Sequence, residues 1–259
     1  MSSERADAWQ GIGWLEADWP APMSVRAGTT LRRPGQSQAP YAHFNLALHV
    51  DDDAATVLAN RAALKSHLHL PAEPFWLEQI HGVHVVEAAA GQSGIVQADA
   101  AYSHTPGKVC VVMTADCLPV LFCNRAGSTV AAAHAGWRGL ADGILEATLA
   151  RAGLVPADTL AWLGPGIGAT VYEVGEEVRQ VFIQQPMHDE SAFVPHGPGK
   201  LLMDMYGLAR QRLNALGVSA VFGGEYCSYT QATQFYSYRR DGKTGRMASL
   251  IWIDKVTGE

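Results

Sequence analysis

The amino-acid sequence predicts an α+β fold: a single domain over residues 1–259 whose sheet strands are joined by largely antiparallel connections. Apolar runs typical of strands and amphipathic runs typical of helices follow one another in mixed order rather than in strict alternation. Three of the strand-like runs, between residues 108 and 136, are separated by connections too short to hold a crossover helix. No Pro/Gly/Ser-rich linker and no internal repeat divides the chain.

The composition indicates a protein with a full hydrophobic core. Of 259 residues, 48% are hydrophobic and 17% are charged, so the chain should fold without disulfides. The net charge of −6 and the scattered lysines and arginines offer no basic stripe for a nucleic acid. The N-terminal stretch MSSERADAWQG lacks an apolar signal core, and no apolar run approaches the roughly 18 residues of a membrane span. We therefore expect a soluble, cytoplasmic protein. The four cysteines form no C-x-x-C pair, which argues against a disulfide framework.

Local signals place the secondary structure in chain order. Asp51 to Asp53 would cap a helix that ends before Pro71. Two β-rich runs on either side of His81-Gly82 predict a hairpin with its turn at that pair. Gly153 would end a helix that starts at Gly139. The other predicted strands are 108–116, 118–125, 128–136, 159–163, 218–229, 235–240 and 246–254, and the other predicted helices are 175–185 and 201–217.

His81, Cys117 and His134 are candidate reactive residues, because each lies where a predicted strand ends and a loop begins. Side chains in such positions can converge on one open pocket. Two imidazoles and a thiolate could bind zinc and leave a fourth position for water or substrate. Alternatively, a histidine could deprotonate Cys117 for nucleophilic attack, or all three could be ordinary core or hydrogen-bonded residues. Their spacing matches no compact metal motif, so these alternatives stay open.

The neighbours of these residues favour a functional site. Asp116 stands beside Cys117 inside the apolar run VVMTADCLPVLF, and a carboxylate at a strand end can orient an imidazole through its second nitrogen. Asp116 is also the nearest candidate for a general acid. Gly136 follows His134 and would permit close approach of the backbone to a ligand.

Seven ordered blocks resemble the family known as multicopper polyphenol oxidase or laccase, whose bacterial members are also called peptidoglycan editing factor. The family includes the mammalian laccase-domain purine nucleoside enzyme. The similarity runs from about residue 44 to the C-terminus and is carried by FNLALHVDDD…NR, LEQIHGVHVV, ADA, TADCLPVLF, AAHAGWRG, GPGIG…YEVG and SYRRDGKTGR. In that family the positions matching His81, Cys117 and His134 form a zinc site. The resemblance therefore implies that these three residues bind Zn²⁺ and are catalytic.

The resemblance also implies a mixed-sheet α/β sandwich and activity on purine nucleosides. The implied reactions are phosphorolysis of adenosine, inosine, guanosine and methylthioadenosine, and deamination of adenosine. Two other functions stay open: hydrolysis of a peptidoglycan precursor at the same Cys-His-His site, and a zinc or nucleotide sensor without turnover. Copper oxidation is disfavoured, because four coppers need roughly ten imidazoles in H-x-H pairs, whereas the chain has a single such pair at His67 and His69.

Three residues are candidate substrate contacts. Arg239 follows an aromatic run and could bind an anion. Asn45 and Arg61 could reach the opening of the same predicted pocket. A solvated arginine, a capping asparagine and a helix-surface arginine explain them nearly as well. The Gly/Pro loop at 163–168 could cradle a phosphate with its backbone N–H groups, although an ordinary strand-to-helix turn accounts for it too.

Overall fold

The computed structural model describes residues 13–89, 96–185 and 190–255. Within these ranges the strands are β1 (Trp14–Glu16), β2 (Val25–Thr30), β3 (Leu77–Glu78), β4 (Val85–Glu87), β5 (Val96–Gln97), β6 (Ala100–Ser103), β7 (Val109–Thr114), β8 (Leu118–Asn124), β9 (Val130–Ala135), β10 (Thr159–Leu163), β11 (Glu173–Gly175), β12 (Phe193–Pro195), β13 (Lys200–Met203), β14 (Ala220–Gly223) and β15 (Met247–Ile253). The α-helices are α1 (Ala54–His67), α2 (Trp137–Asp142), α3 (Ile144–Ala152), α4 (Glu176–Ile183), α5 (Met205–Ala215) and α6 (Tyr238–Asp241). The N-terminal stretch used above to argue against a signal segment lies outside the described residues.

Two main sheets organise the molecule. The first has four strands in the order β1-β2-β15-β7, all antiparallel. The second has six strands in the order β14-β10-β8-β9-β6-β4, antiparallel in its centre and parallel at both edges. Smaller sheets join β11-β13-β12 and β3-β5. The predicted mixed α/β architecture with largely antiparallel pairing is therefore confirmed.

The buried side chains define four layers. Val112 and Ile251 of the first sheet pack against Leu121 and Trp162 of the second and form the inner core. Helix α1 covers the outer face of the first sheet, and α2, α3 and α5 cover the outer face of the second. Strands β7, β8 and β9 are consequently buried on both faces, which explains their continuous apolar sequence. Burial of each such aliphatic side chain stabilises the fold by about 1.5–3 kcal/mol.

The helix ends follow the capping signals in the sequence. Asp53 caps α1, because its carboxylate accepts a hydrogen bond of 2.8 Å from the backbone N–H of Thr56. Gly153 ends α3 in the left-handed region with φ 63°. The single helix predicted before it is in fact two, because Gly143 adopts φ 97° and separates α2 from α3. No helix within the described ranges combines the length and the apolar character needed to cross a membrane.

Four further local predictions are wrong. Of the strand predicted at 218–229, only Ala220–Gly223 forms a strand, and the chain turns at Gly223 and Gly224, which have φ 73° and 90°. Strands β3 and β4 do not form a hairpin, because β3 pairs with β5 and β4 pairs with β6, both in parallel. The run at 235–240 is not a strand: residues 235–237 form a loop in which Phe235 and Tyr236 are both fully buried instead of alternating between two faces, and residues 238–240 belong to α6. The helix predicted from residue 201 begins at Met205, since residues 200–203 form β13 and Asp204 is the N-cap.

Residues 115–117 carry the chain from the first sheet to the second. Strand β7 belongs to the four-stranded sheet and β8 to the six-stranded sheet. Asp116 makes this short step with φ 101°, a conformation that costs energy in a residue other than glycine. Its carboxylate accepts hydrogen bonds of 2.6 Å from the Ser228 hydroxyl and the Arg239 backbone N–H, and these bonds hold the crossover. The polar pair inside the apolar run thus marks a change of sheet.

The buried side chain of Asn60 connects α1 to the segment 36–45 and allows a test of the packing. Its side-chain amide donates to Ser37 Oγ at 3.0 Å and to the Asn45 carbonyl at 2.9 Å, and its oxygen accepts from the Gln36 N–H at 3.1 Å. We expect Asn60→Ala to lower the free energy of unfolding by about 3 kcal/mol, because the buried groups that bond to its side-chain amide lose their hydrogen-bond partner. The exposed Asn214→Ala on α5 is the control, with a change within about 0.5 kcal/mol. Urea unfolding measures both, and equal effects would contradict this role.

Candidate metal centre

His81, Cys117 and His134 converge at one end of the sandwich. His81 lies in the turn between β3 and β4, Cys117 lies at the start of β8, and His134 lies near the end of β9. Cys117 Sγ is 3.8 Å from His81 Nε2, and the two imidazole rings are 4.8 Å apart in an edge-to-face arrangement. The three ligand atoms all lie within 4.8 Å of one another. A tetrahedral zinc ion with nitrogen and sulfur ligands holds such atoms about 3.3–3.8 Å apart, so the group could bind a metal.

A single buried carboxylate orients both histidines. Asp99 is 0% exposed, and its Oδ1 accepts a hydrogen bond of 2.8 Å from His134 Nδ1. It also accepts from the backbone N–H of His81 at 2.9 Å and of Gly82 at 2.7 Å. Because Nδ1 of His134 donates to Asp99, its Nε2 keeps a lone pair for a cation. Asp99 therefore fixes the imidazole of one ligand and the backbone of another.

Sequence reasoning assigned this orienting role to Asp116, and that assignment is wrong. Both oxygens of Asp116 are engaged by Ser228 and Arg239, as described for the crossover. The residue that was missed stands alone between alanines in the block ADA, and this isolation of an acid in an apolar context was the available signal. Asp99 is recognisable as the orienting group only once β6 and β9 are paired.

Gln79 attaches the His81 turn to the first sheet. Its side-chain oxygen accepts from the Met113 N–H at 2.7 Å, and its amide donates to the Met113 carbonyl at 2.8 Å. The side chain thus pairs with Met113 as a neighbouring strand would. Because Met113 lies in β7, which leads to Cys117, this contact sets the distance between two of the ligands. Sequence analysis gave no reason to single out Gln79.

The space beside Gly136 is occupied by two of the candidate ligands. A Cβ atom at this position would lie 2.9 Å from His81 Cδ2, closer than real Cβ contacts, and 3.1 Å from Cys117 Sγ, so a larger residue would displace these side chains. The close approach predicted for this residue is therefore present, and it is an approach to the ligands themselves. His81 also has a left-handed backbone with φ 61°, which turns its ring toward the other two residues.

The charges of the three groups are coupled. Burial opposes ionisation of the Cys117 thiol, but the neighbouring His134 and His81 outweigh it and lower the pKa of Cys117 to about 6. Burial likewise opposes the charged form of His134, but the Cys117 sulfur and Asp99 raise its pKa. Both shifts favour a thiolate–imidazolium pair, and a divalent cation that binds here would displace the proton.

A cavity of about 450 Å³ opens in front of the triad, within the size range of small-molecule sites. Arg239 and Arg246 line the same cavity as the three candidate metal ligands. The Arg239 guanidinium donates to the Glu173 carbonyl at 2.6 Å and lies 5.1 Å from the Tyr172 ring. The other lining residues are His49, Gln79, Met113, Thr114, Ala115, Asp116 and Tyr238. Two cationic groups in a cavity beside a metal site favour an anionic ligand.

The structure brings Arg239 to this cavity but not Asn45 or Arg61. Asn45 is fully buried, and its side-chain oxygen accepts from the N–H groups of Ala47 and Arg246, both at 3.0 Å. It positions the backbone of Arg246 and does not line the cavity. Arg61 lines a neighbouring cavity. The sequence analysis did not single out Arg246, and its place in the cavity follows from the tertiary fold.

The Gly/Pro loop after β10 is not a phosphate cradle. The N–H of Gly166 donates to the Tyr206 hydroxyl at 2.7 Å, and the N–H of Ile167 donates to the Asp116 carbonyl at 2.9 Å. The N–H of Gly168 donates to Cys227 Sγ at 3.2 Å. These donors are satisfied inside the protein, so the possibility of phosphate binding by this loop is wrong.

The other predictions about metal and sulfur are also resolved. All four cysteines are free, as predicted. His67 and His69 are not part of a metal-ligand cluster within the described ranges. The cluster of potential ligands found there consists of His81, Cys117 and His134. His67 Nδ1 instead contacts the Ala63 carbonyl at 2.8 Å at the end of α1.

Comparison with known proteins identifies the family. Residues 26–254 match the family model described as multi-copper polyphenol oxidoreductase laccase. The chain is 53% identical to the Pseudomonas aeruginosa protein named purine nucleoside phosphorylase PA4543, over 93% of this chain and 98% of that protein. It is 52% identical to the Escherichia coli protein named purine nucleoside phosphorylase YfiH, over 91% and 96% of the two chains.

Comparison with solved structures agrees with the sequence comparison. The crystal structure of Neisseria meningitidis protein NMB0706 has a TM-score of 0.90 and 48% sequence identity to this chain, and the match covers 94% of this chain and 100% of that one. The similarity therefore extends over the whole fold that supports the triad. The chain belongs to the multi-copper polyphenol oxidoreductase laccase family.

Proposed function

We propose that the protein is a zinc-dependent purine nucleoside phosphorylase whose reaction centre is the group of His81, Cys117 and His134. The observation that carries the proposal is the convergence of these ligands on a cavity that also holds two arginines. Its donor set of one thiolate and two imidazoles suits zinc. The names of the relatives at 52% and 53% identity support the same reaction.

The groups that line the cavity have different roles in the proposed phosphorolysis. A bound Zn²⁺ would supply Lewis acidity to the substrate. Arg239 and Arg246 bind the phosphate and stabilise its charge while a phosphate oxygen attacks the anomeric carbon of the ribose. The bond from this carbon to the purine nitrogen breaks, the leaving base takes up the proton of the monohydrogen phosphate, and ribose 1-phosphate forms. Tyr238, which is 61% exposed, offers a ring face to the base.

The substrates proposed are adenosine, inosine, guanosine and methylthioadenosine, and deamination of adenosine at the same centre is proposed as a second reaction. Asp99 keeps His134 in the tautomer that can bind the metal, and Gly136 leaves room for the His81 and Cys117 side chains. The hydrolysis of a peptidoglycan precursor uses the same three residues and is the competing function. The phosphate requirement separates the two.

Metal content tests the ligand set. We expect about one zinc ion per wild-type chain and loss of it in Cys117→Ala, because two imidazoles alone form an incomplete site. Cys227→Ala is the matched control, since Cys227 is also a free, partly buried cysteine but does not line the cavity. Mass spectrometry of the purified proteins after dialysis measures the metal. Stoichiometric zinc in Cys117→Ala would place the metal elsewhere.

Asp99→Asn tests the orientation of the ligands. We expect zinc affinity to fall about 10–100-fold, as for other residues that hold a metal-binding histidine through its second nitrogen. Titration against a competing chelator measures the affinity, and circular dichroism checks the fold. The exposed Asp142→Asn on α2 should leave affinity unchanged. Unchanged affinity in Asp99→Asn with an intact fold would remove Asp99 from the metal centre.

The requirement for phosphate tests the reaction itself. We expect hypoxanthine release from inosine only when phosphate is present, and a KM for phosphate at least about 10-fold higher in Arg239→Gln, because one charged hydrogen-bond donor to the anion is lost. Arg151→Gln is the control, since Arg151 is exposed on α3. An enzyme that leaves inosine intact but cleaves a serine-bearing muramyl nucleotide would be an editing hydrolase. Release without phosphate would rule out phosphorolysis.

A further inference from the structure

A second and larger cavity, of about 820 Å³, lies beside the metal centre. It lies between α1, the segment 72–79 and β7, and it shares His49, Gln79 and Met113 with the metal cavity. Its walls are mainly apolar and include Leu48, Pro74, Phe75, Leu77, Ala88 and Val109. Both volumes fall within the range of small-molecule sites. The reaction proposed above makes no use of this second cavity.

The second cavity contains a guanidinium group that forms no ion pair with a described residue. Arg61 lies over the Trp76 ring at 3.7 Å, and its Nε donates to the Leu46 carbonyl at 2.8 Å. Among the described residues, no carboxylate lies within 4.0 Å of Arg61, and its terminal amino groups have no hydrogen-bond acceptor. The nearby Glu73 is engaged by Lys65 at 3.7 Å and by Trp76 Nε1 at 3.0 Å.

This environment prepares Arg61 to bind an anion. Burial lowers the pKa of Arg61 to about 10, although Glu73 opposes the shift, so the side chain stays charged at neutral pH while part of its hydration is lost. The Nε bond and the stacking contact fix the plane of the guanidinium. The two terminal amino groups then form a fork that fits a carboxylate, sulfonate or phosphate. Lys108 adds a second cationic side chain to the same lining, which also includes Glu73 and Glu78.

We propose that the second cavity binds a small organic anion with a flat apolar body, whose acidic group pairs with Arg61 and whose body lies against Phe75, Leu77 and Val109. Such an anion could be a separate ligand or the distal part of an elongated substrate that also enters the metal cavity, since the two cavities share lining residues. The chemistry of recognition is the same for both sources. Binding is measured without turnover, so this proposal does not depend on the proposed reaction.

The experiment compares two fluorescent probes that differ in one charge. These are 8-anilinonaphthalene-1-sulfonate and its uncharged parent N-phenyl-1-naphthylamine, titrated into the zinc-loaded protein. We expect Arg61→Met to weaken binding of the sulfonate at least about 10-fold, because a bidentate charged contact is lost. The neutral probe should bind within about twofold, because methionine keeps an apolar chain over Trp76. Arg151→Met, on the exposed end of α3, should change neither affinity.

A second variant keeps the test informative if Arg61→Met folds poorly. Ala72→Trp narrows the cavity from its rim without altering Arg61, and it should weaken both probes. Equal loss of both probes in Arg61→Met, or unchanged sulfonate binding in a folded Arg61→Met or Ala72→Trp protein, would overturn the proposal.

Steady-state kinetics with the same sulfonate distinguishes the two sources. Inhibition of nucleoside turnover that is competitive with inosine assigns the cavity to the distal part of a substrate. Inhibition, or binding, that is independent of the inosine concentration assigns it to a separate ligand.

Discussion

The hydrogen bonds of the buried Asp99 carboxylate are the interaction on which the metal centre depends. A carboxylate with no exposure is stable only when strong donors surround it, and here the donors are the His134 ring and the backbone of the His81 turn. The same bonds that stabilise Asp99 therefore orient two of the three metal ligands. Since these bonds exist in the folded protein, a metal that binds here would find its ligands already placed, and little ordering entropy would oppose its binding.

The third ligand depends on the architecture of the two sheets. Cys117 lies at the point where the chain leaves the first sheet for the second, and Asp116 holds this step in a left-handed conformation. Regular pairing on both sides makes the ends of β7 and β8 rigid, and Gln79 attaches the His81 turn to β7. The ligands thus come from three connections between elements, while their positions are fixed by strands buried on both faces. Such a frame allows reactive groups to stay partly exposed without becoming mobile.

The sequence could predict the features that depend on neighbouring residues. The cap of α1 at Asp53, the end of α3 at Gly153 and the apolar strands all follow from local patterns. The hairpin at His81 failed because β3 and β4 pair with partners from elsewhere in the chain, and local β-propensity carries no information about the partner. The metal triad could be proposed from strand ends and from the family resemblance. The roles of Asp99 and Gln79 could not be predicted, because a hydrogen bond to a backbone group far along the chain leaves no periodic pattern in the sequence.

Neutral groups hold the arginines that line the two cavities. Carbonyl oxygens accept hydrogen bonds from Arg239, Arg246 and Arg61, and an oxygen of this kind fixes a guanidinium without cancelling its charge. Arg212 shows the opposite arrangement, because it is buried against Glu146 at 2.7 Å and serves packing between α5 and α3. A protein of net charge −6 repels anions at long range, so guanidinium groups held by carbonyl oxygens are the local means by which it can bind them. The separation of these groups into adjoining cavities gives an anionic group two distinct places to bind, one beside the candidate metal ligands and one over Trp76.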